Sequence, residues 1–373
     1  MTPYAACAGA AAWRRNPEQA RQAITDWLLG DVQLSVGPHA GGVAGAIDGD
    51  GRPLYVYPEI TGYYLQWLAW IASRRGATPA LAQRADAAQR WLASWIGRCD
   101  PPDARVHLRV HGADWRNSAS FCFDLAMVLR GVASAAAAGL IEPNPALIER
   151  LYAQLSRLTG ADGEFVACVA PSGVALPDRW STRRGGFLSK AAAAVLAVRV
   201  LPKLPAALQA AAEATLAASI RAAIEHPHDE THPRLYAIEG ALMLASHPAV
   251  APALSQLTHQ LDRLLSSARL RGALSELDAT RGAERLDIVA QGLRAAYLLR
   301  AAAPEWLPDQ RALDRMQHFL VRYTAVDGAV AFTTAAEPKL YCVWAAMFTE
   351  QALALARTEP PNVARREMLT NLV

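Results

Sequence analysis

Four groups of residues in this chain have the types and spacing for acid–base or binding chemistry. In residues 55–64 (YVYPEITGYY), Glu59 stands between Tyr57 and Tyr63, with Trp67 and Trp70 following. A carboxyl group among aromatic rings is what a sugar-ring platform with an acid or base requires. Further on, His232, Tyr236 and Glu239 have i, i+4 and i+7 spacing, which aligns them on one helix face. A glutamate deep in an apolar helix is costly without a partner. Glu239 therefore reads either as a site residue or as half of a buried pair with an arginine of a neighbouring helix. Arg285 precedes a similar seam, Asp287, Gln291 and Arg294, which could contact substrate or lock helices together. In the fourth group, Asp114 and Arg116 lead into Asp124 and Arg130, and the first three could line a cavity. Arg183, Arg184 and Lys190 add positive charge at another helix opening, and Lys339 and Tyr341 do so more weakly.

Several other chemistries lack their signatures. The sequence contains no phosphate-cradling glycine loop, HExxH, CxxC pair or GxSxG elbow, nor the aspartate-rich motifs of helical terpene cyclases. His226, His228 and His232 are close in sequence, but a proline and a loop intervene, so no metal or cofactor is expected. With 37 basic and 34 acidic residues and no basic block, the chain gives no reason to expect a nucleic-acid partner. The five cysteines are scattered and odd in number, as reduced thiols would be. The N-terminus lacks the order of a signal peptide, and no apolar run reaches membrane-span length. The cytoplasm is the expected location.

The elements that must position these residues recur. Six loops run into alanine-rich helices, beginning near Pro58, Asn117, Arg183, Glu230, Gly282 and Lys339, about 45 to 67 residues apart. Each interval accommodates a helical hairpin with its loops. Between these helices lie six others, opening at Asn16-Pro17, Thr78-Pro79 and Ala146 and spanning 206–225, 253–268 and 309–323. The second set is amphipathic, whereas the first is apolar nearly all round. Helices apolar on every side are buried on every side. Strict alternation therefore predicts an inner ring of six helices wrapped by an outer six, with the inner N-termini converging over a central cavity. Short strands or hairpins are expected from Gly51, Arg105, Gly163 and Gly328, three of them near Asp-Gly turns. With 52% hydrophobic and 19% charged residues, one large core is affordable, so residues 1–373 are expected to form a single domain with 1–15 a flexible lead-in.

This all-α arrangement resembles the six-hairpin, or (α/α)6 toroid, superfamily of carbohydrate-active proteins, to which the YPEITGYY and THPRLYAIEG openings and the Asp-Gly turns are similar. The resemblance covers most of the chain and is architectural. It implies a saccharide or glycoconjugate in the central cavity. For a glycoside hydrolase, Glu59 would be the acid, with Asp287 or Glu239 as its partner. Their separation would be about 5 Å for retention and roughly 6.5 to 9.5 Å for inversion. For a uronate epimerase or polysaccharide lyase, His232, Tyr236 or Tyr63 would move the proton, and Arg183, Arg285 or Arg116 would clamp the uronate. A non-catalytic toroid that binds a glycan or protein is the third reading.

Overall fold

The outer helices start where local capping chemistry tells them to. Asn16, Thr78, Asn144 and Asp309 each accept a hydrogen bond from a backbone N–H of the following first turn. They open α1 (Pro17–Leu28), α3 (Pro79–Trp95), α5 (Pro145–Arg157) and α11 (Gln310–Arg322). Two further outer helices are α7 (Ala206–Glu225) and α9 (Leu254–Ala268). The inner helices are α2 (Pro58–Arg75), α4 (Cys122–Ala137), α6 (Leu188–Leu196), α8 (Thr231–Met243), α10 (Leu286–Ala302) and α12 (Val343–Leu355). Five of these six, all but α12, begin at residues that provide no side-chain cap: Tyr57, Phe121, Phe187, Glu230 and Arg285. Their first N–H groups thus face the end of the ring without a cap from the preceding residue.

The computed structural model describes residues 16–357, apart from Asp31, 110–113, Arg269, Pro304 and 336–338, together with Leu372. The N-terminal segment expected to be flexible, Cys7 included, lies outside the described residues. Each inner helix packs against the next, from α2 through α4, α6, α8 and α10 to α12, and α12 packs back on α2. The outer helices lie against this ring, and the chain has the expected (α/α)6 toroid fold. Burial follows the same division. From Pro58 to Ala72 every residue of α2 is buried, while α11 buries only Ala312, Leu313, Met316 and the Phe319–Val321 turn.

The strands are short and sit at the cavity end. A four-stranded sheet has the order β3 (Val106–His107), β2 (Pro53–Val56), β1 (Ala44–Asp48), β8 (Leu340–Cys342). Antiparallel pairing of Ala46 with both Tyr55 and Cys342 ties the first repeat to the last and so helps close the ring. The strands expected from Gly51 and Arg105 correspond to β2 and β3. That expected from Gly163 contributes β5 (Cys168–Val169), paired with β4 (Ser120–Phe121). The segment from Gly328 differs: it makes isolated bridges at Val330 and Ala331 rather than a strand. Sequence patterning did not anticipate β1, β4, β8 or the hairpin of β6 (Ser275–Leu277) and β7 (Arg281–Glu284). Runs of two to five residues are too short for alternation to stand out.

Two glycines set the distance between α2 and α4. A side chain at Gly131 would overlap the Gly62 carbonyl, and one at Gly62 would lie 2.8 Å from the Met127 carbonyl oxygen. Backbone meets backbone here, so no rotamer change relieves the overlap. Gly131→Ala is expected to destabilise the fold by about 1–3 kcal/mol through overpacking. Urea unfolding would show a lower midpoint, and an unchanged midpoint would refute this helix contact.

Candidate active site

A cavity of about 520 Å³ opens at the end of the ring where the inner helices begin. The way each inner helix is entered explains its lining. The last extended residue and the second helical residue both face inward at α2 (Tyr57, Glu59), α4 (Phe121, Phe123) and α12 (Cys342, Trp344). At α8 the second helical residue, His232, does so, as does Tyr236 one turn later; at α10 the entry residue Arg285 faces the cavity. Asp124, third in α4, joins them.

Glu59 and Asp124 come side by side because Gly62 and Gly131 let their helices approach. The Tyr57 hydroxyl interacts with both carboxyl groups. Burial raises the Glu59 carboxyl to about 7, against the opposing pull of Tyr57, Lys190 and Arg105. Asp124 is also raised well above its ordinary value, by burial first and then by the Glu59 charge, against Arg105, Tyr57 and Arg116. Helix N-termini favour carboxylates by about 0.3–1 kcal/mol, less than the 1.36 kcal/mol of one pKa unit, so burial wins. The two groups titrate as a pair that retains a proton near neutral pH.

Arginines border this pair. Arg105 lies over the Tyr55 and Tyr57 rings, 4.4 and 5.3 Å from their centroids. Asp114 does not line the cavity but organises its rim. It accepts from the Arg116 guanidinium at 3.0 Å, lies 3.2 Å from His107 Nε2 and stands 3.8 Å from Arg105. Across the cavity, Arg285 donates to both oxygens of Asp287, at 3.0 and 2.6 Å, and stacks on Phe332. Asp287 is fully buried behind it and also accepts from Trp344 Nε1 at 3.0 Å. Despite burial, the guanidinium of Arg285 leads the influences that lower Asp287 to about 2. His232 is lowered to about 4 by burial, so it is neutral at pH 7.

The structure thus gathers Tyr57, Glu59, Arg116, Asp124, His232, Tyr236 and Arg285 around one cavity. It places the other sequence candidates elsewhere. Glu239 is fully buried, bonded to Lys190 Nζ at 2.9 Å, to Arg294 and to Gln291 Nε2 at 3.0 Å. This matches the buried-pair alternative for that residue, extended to two cations. Neither Glu239 nor Asp287 lines the cavity with Glu59, as a hydrolytic pairing with it requires, whereas Asp124 does. Tyr63 lies beneath the lining, 3.3 Å from the Tyr236 hydroxyl, and Trp67 is deeper, bonded to Glu350. Arg183 pairs with Asp178 and lines a separate recess of about 210 Å³ beyond Trp180 and Phe187. His226 and His228 also border that recess. Among the described residues, no three His, Cys, Asp or Glu side chains gather as metal ligands would.

Sequence reading had not singled out Arg105, Trp180, Phe332 or Trp344 as site residues. Trp344 had a usable signal, because it holds the second helical position that Glu59, His232 and Asp287 hold in their helices. Arg105 and Phe332 lie in loops or beside short strands, and Trp180 opens a single 3-10 turn, Trp180–Thr182, where no period marks the inward face.

No protein-family model matches the chain, and no curated protein matches it. Solved structures do. A D-mannose isomerase aligns with a TM-score of 0.64 at 13% identity, covering 93% of this chain and 98% of its own. The unsaturated glucuronyl hydrolase of Bacillus sp. GL1, described as responsible for degrading glycosaminoglycan, gives 0.63 at 14%, covering 92% and 97%. A type II terpene cyclase from Scytonema, in complex with geranylgeranyl dihydroxybenzoate, gives 0.57 at 13%, covering 91% and 98%. At these identities the likeness defines the class by architecture: the chain is an (α/α)6 toroid of the six-hairpin type. No helix among the described residues is long and apolar enough to cross a membrane.

Proposed function

We propose that this protein is a carbohydrate-active enzyme, and specifically a glycoside hydrolase in which Glu59 and Asp124 are the acid–base pair. The observation that carries the reading is this proton-retaining carboxyl pair on a cavity wall, beside Arg105 and Arg116. In hydrolysis the protonated member gives its proton to the departing glycosidic oxygen. The ionised member bonds to the anomeric carbon as that oxygen leaves, and water then attacks the same carbon, releasing the carboxylate and returning a proton to the pair. A phenol shared between the carboxyls favours the shorter separation, about 5 Å, used with retention. The structures similar in fold include a D-mannose isomerase and an unsaturated glucuronyl hydrolase. A prenylated substrate like that of the terpene cyclase fits less well, because it would desolvate Arg105, Arg116 and Arg285 against an apolar chain.

A second reading, a sugar epimerase or isomerase, draws support from neutral His232 on the opposite wall. One experiment separates the two. A panel of neutral and uronic oligosaccharides is incubated with the protein in D2O, reading bond cleavage and deuterium incorporation at carbon. Cleavage that falls roughly 100-fold or more in both Glu59→Gln and Asp124→Asn supports the hydrolase. Deuterium uptake without cleavage, lost in His232→Gln, moves the assignment to the second reading. Turnover indifferent to all three substitutions would sink both.

A further inference from the structure

We infer that Glu239 is a positioning residue that reaches the cavity through two hydrogen-bonded arms, fixing His232 as an acceptor and Tyr236 as a donor toward the substrate. The inference rests on the reading that the cavity holds substrate, and it adds a polarised pair on the wall opposite Glu59 and Asp124.

The first arm runs through Gln291. Glu239 is ionised between Lys190 and Arg294, so it can only accept, and the Gln291 amide nitrogen must face it at 3.0 Å. The Gln291 amide oxygen then faces His232 Nδ1 at 2.9 Å and must accept a proton from it. Nδ1 therefore carries the ring's proton and Nε2 keeps a lone pair. The orientation of two groups that are ambiguous when taken alone, an amide and an imidazole, is set by one carboxylate.

The second arm runs through Lys190. Its ammonium group donates to Glu239 at 2.9 Å and to the Tyr63 hydroxyl at 3.5 Å. The Tyr63 hydroxyl donates to the Tyr236 oxygen at 3.3 Å, and the Tyr236 proton turns toward the cavity that its ring lines. The ring centroids of His232 and Tyr236 are 4.3 Å apart, so a lone pair and a proton are offered to the same region of a bound molecule. Such a couple suits a substrate that presents a hydroxyl next to a carbonyl or ring oxygen. Glu239, Lys190, Gln291 and Arg294 have no exposed surface, or almost none, and touch no ligand-accessible space; their effect on the reaction passes through His232 and Tyr236.

The test reads the histidine directly and needs no substrate. The full chain is labelled with 15N-histidine, and the His232 signals are identified by their loss in His232→Gln. Long-range 1H–15N spectra between pH 5.5 and 8 are expected to show Nδ1 protonated and Nε2 bare throughout. In Gln291→Leu, which leaves Glu239 with both cations, the tautomer ratio is expected to move roughly fivefold or more toward protonated Nε2. Gln291→Glu, protonated beside Glu239, keeps an oxygen for Nδ1 and is expected to retain the original tautomer. Wild-type protein with Nε2 protonated, or a ratio unmoved by Gln291→Leu, would overturn the inference. Should Gln291→Leu fail to fold by near-ultraviolet circular dichroism, the wild-type spectrum and Gln291→Glu decide. Because no sugar is present, the result stands apart from whether the protein turns over any oligosaccharide.

Discussion

Glu59→Gln is expected to make the folded chain more stable at pH 8 than the wild type while removing turnover. Glu59 is 8% exposed, and its carboxyl is raised from 4.5 to about 7 in the folded state. Between those values the folded chain binds more protons than the unfolded one. Stability is therefore unaffected by this group below about pH 4.5, falls as pH rises through the folded pKa, and stays low above it. The shift corresponds to roughly 3 kcal/mol at pH 8, to order of magnitude. Glutamine carries no charge to bury, so the difference in unfolding free energy should grow from near zero at pH 4 to its full size by pH 8. Asp124→Asn should show the same sign, and the double variant less than the sum, because each charge is part of what raises the other. Chemical denaturation at pH 4, 6 and 8 measures this. A variant less stable than wild type at pH 8, or a gain that does not depend on pH, would contradict a buried proton-retaining pair. A cost in stability that coincides with a gain in chemistry is what a functional site shows and a structural ion pair does not.

The second large effect is expected at the centre of the ring. Glu239→Ala should cost about 3–5 kcal/mol, because it leaves Lys190 and Arg294 buried without their carboxylate. Burial already lowers Lys190 to about 8 even with Glu239 present. The protein should respond to the loss by releasing the Lys190 proton at a lower pH than the wild type does, so the penalty should be largest in acid, shrink as pH rises toward 8 and stay level above it. A Tm several degrees below wild type at pH 5.5, with a smaller difference at pH 8, is the expected result. An unchanged Tm would show that the cations find other compensation. Compared with Glu59→Gln, the sign is opposite: removing one carboxylate relieves the fold and removing the other breaks it. Distance from the ring's open end separates them. Glu59 sits in the first turn, where burial outweighs the pull of Tyr57, Lys190 and Arg105 on its charge. Glu239 lies two turns further in, where cations surround it.

Much of the fold was legible in the sequence because its causes are local. Asn16-Pro17 and Thr78-Pro79 start helices through their own side chains and backbone geometry, whatever lies nearby. The contrast between one-sided and all-round apolar helices marks outer and inner rings, since burial on every side needs an apolar circumference. The recurrence of loop and helix gave the number of hairpins. Glu59, Asp124, His232, Tyr236 and Arg285 were visible as polar residues where apolar ones were expected, and they meet in the cavity. Which of them face each other was a different matter. Glu239, Asp287 and Asp124 all sit on inner helices, and spacing along a chain says nothing about the rotation of one helix relative to another. That rotation comes from contacts far apart in sequence: Gly62 against Gly131, Lys190 and Arg294 on Glu239, and the pairing of Ala46 with Cys342. Local patterning along the chain was enough for a ring of helical hairpins with polar residues gathered near one end. That Asp124 stands beside Glu59, and that Glu239 is buried among Lys190, Arg294 and Gln291, came from the folded chain alone, because side-chain pairing depends on how helices are turned and how closely they pack.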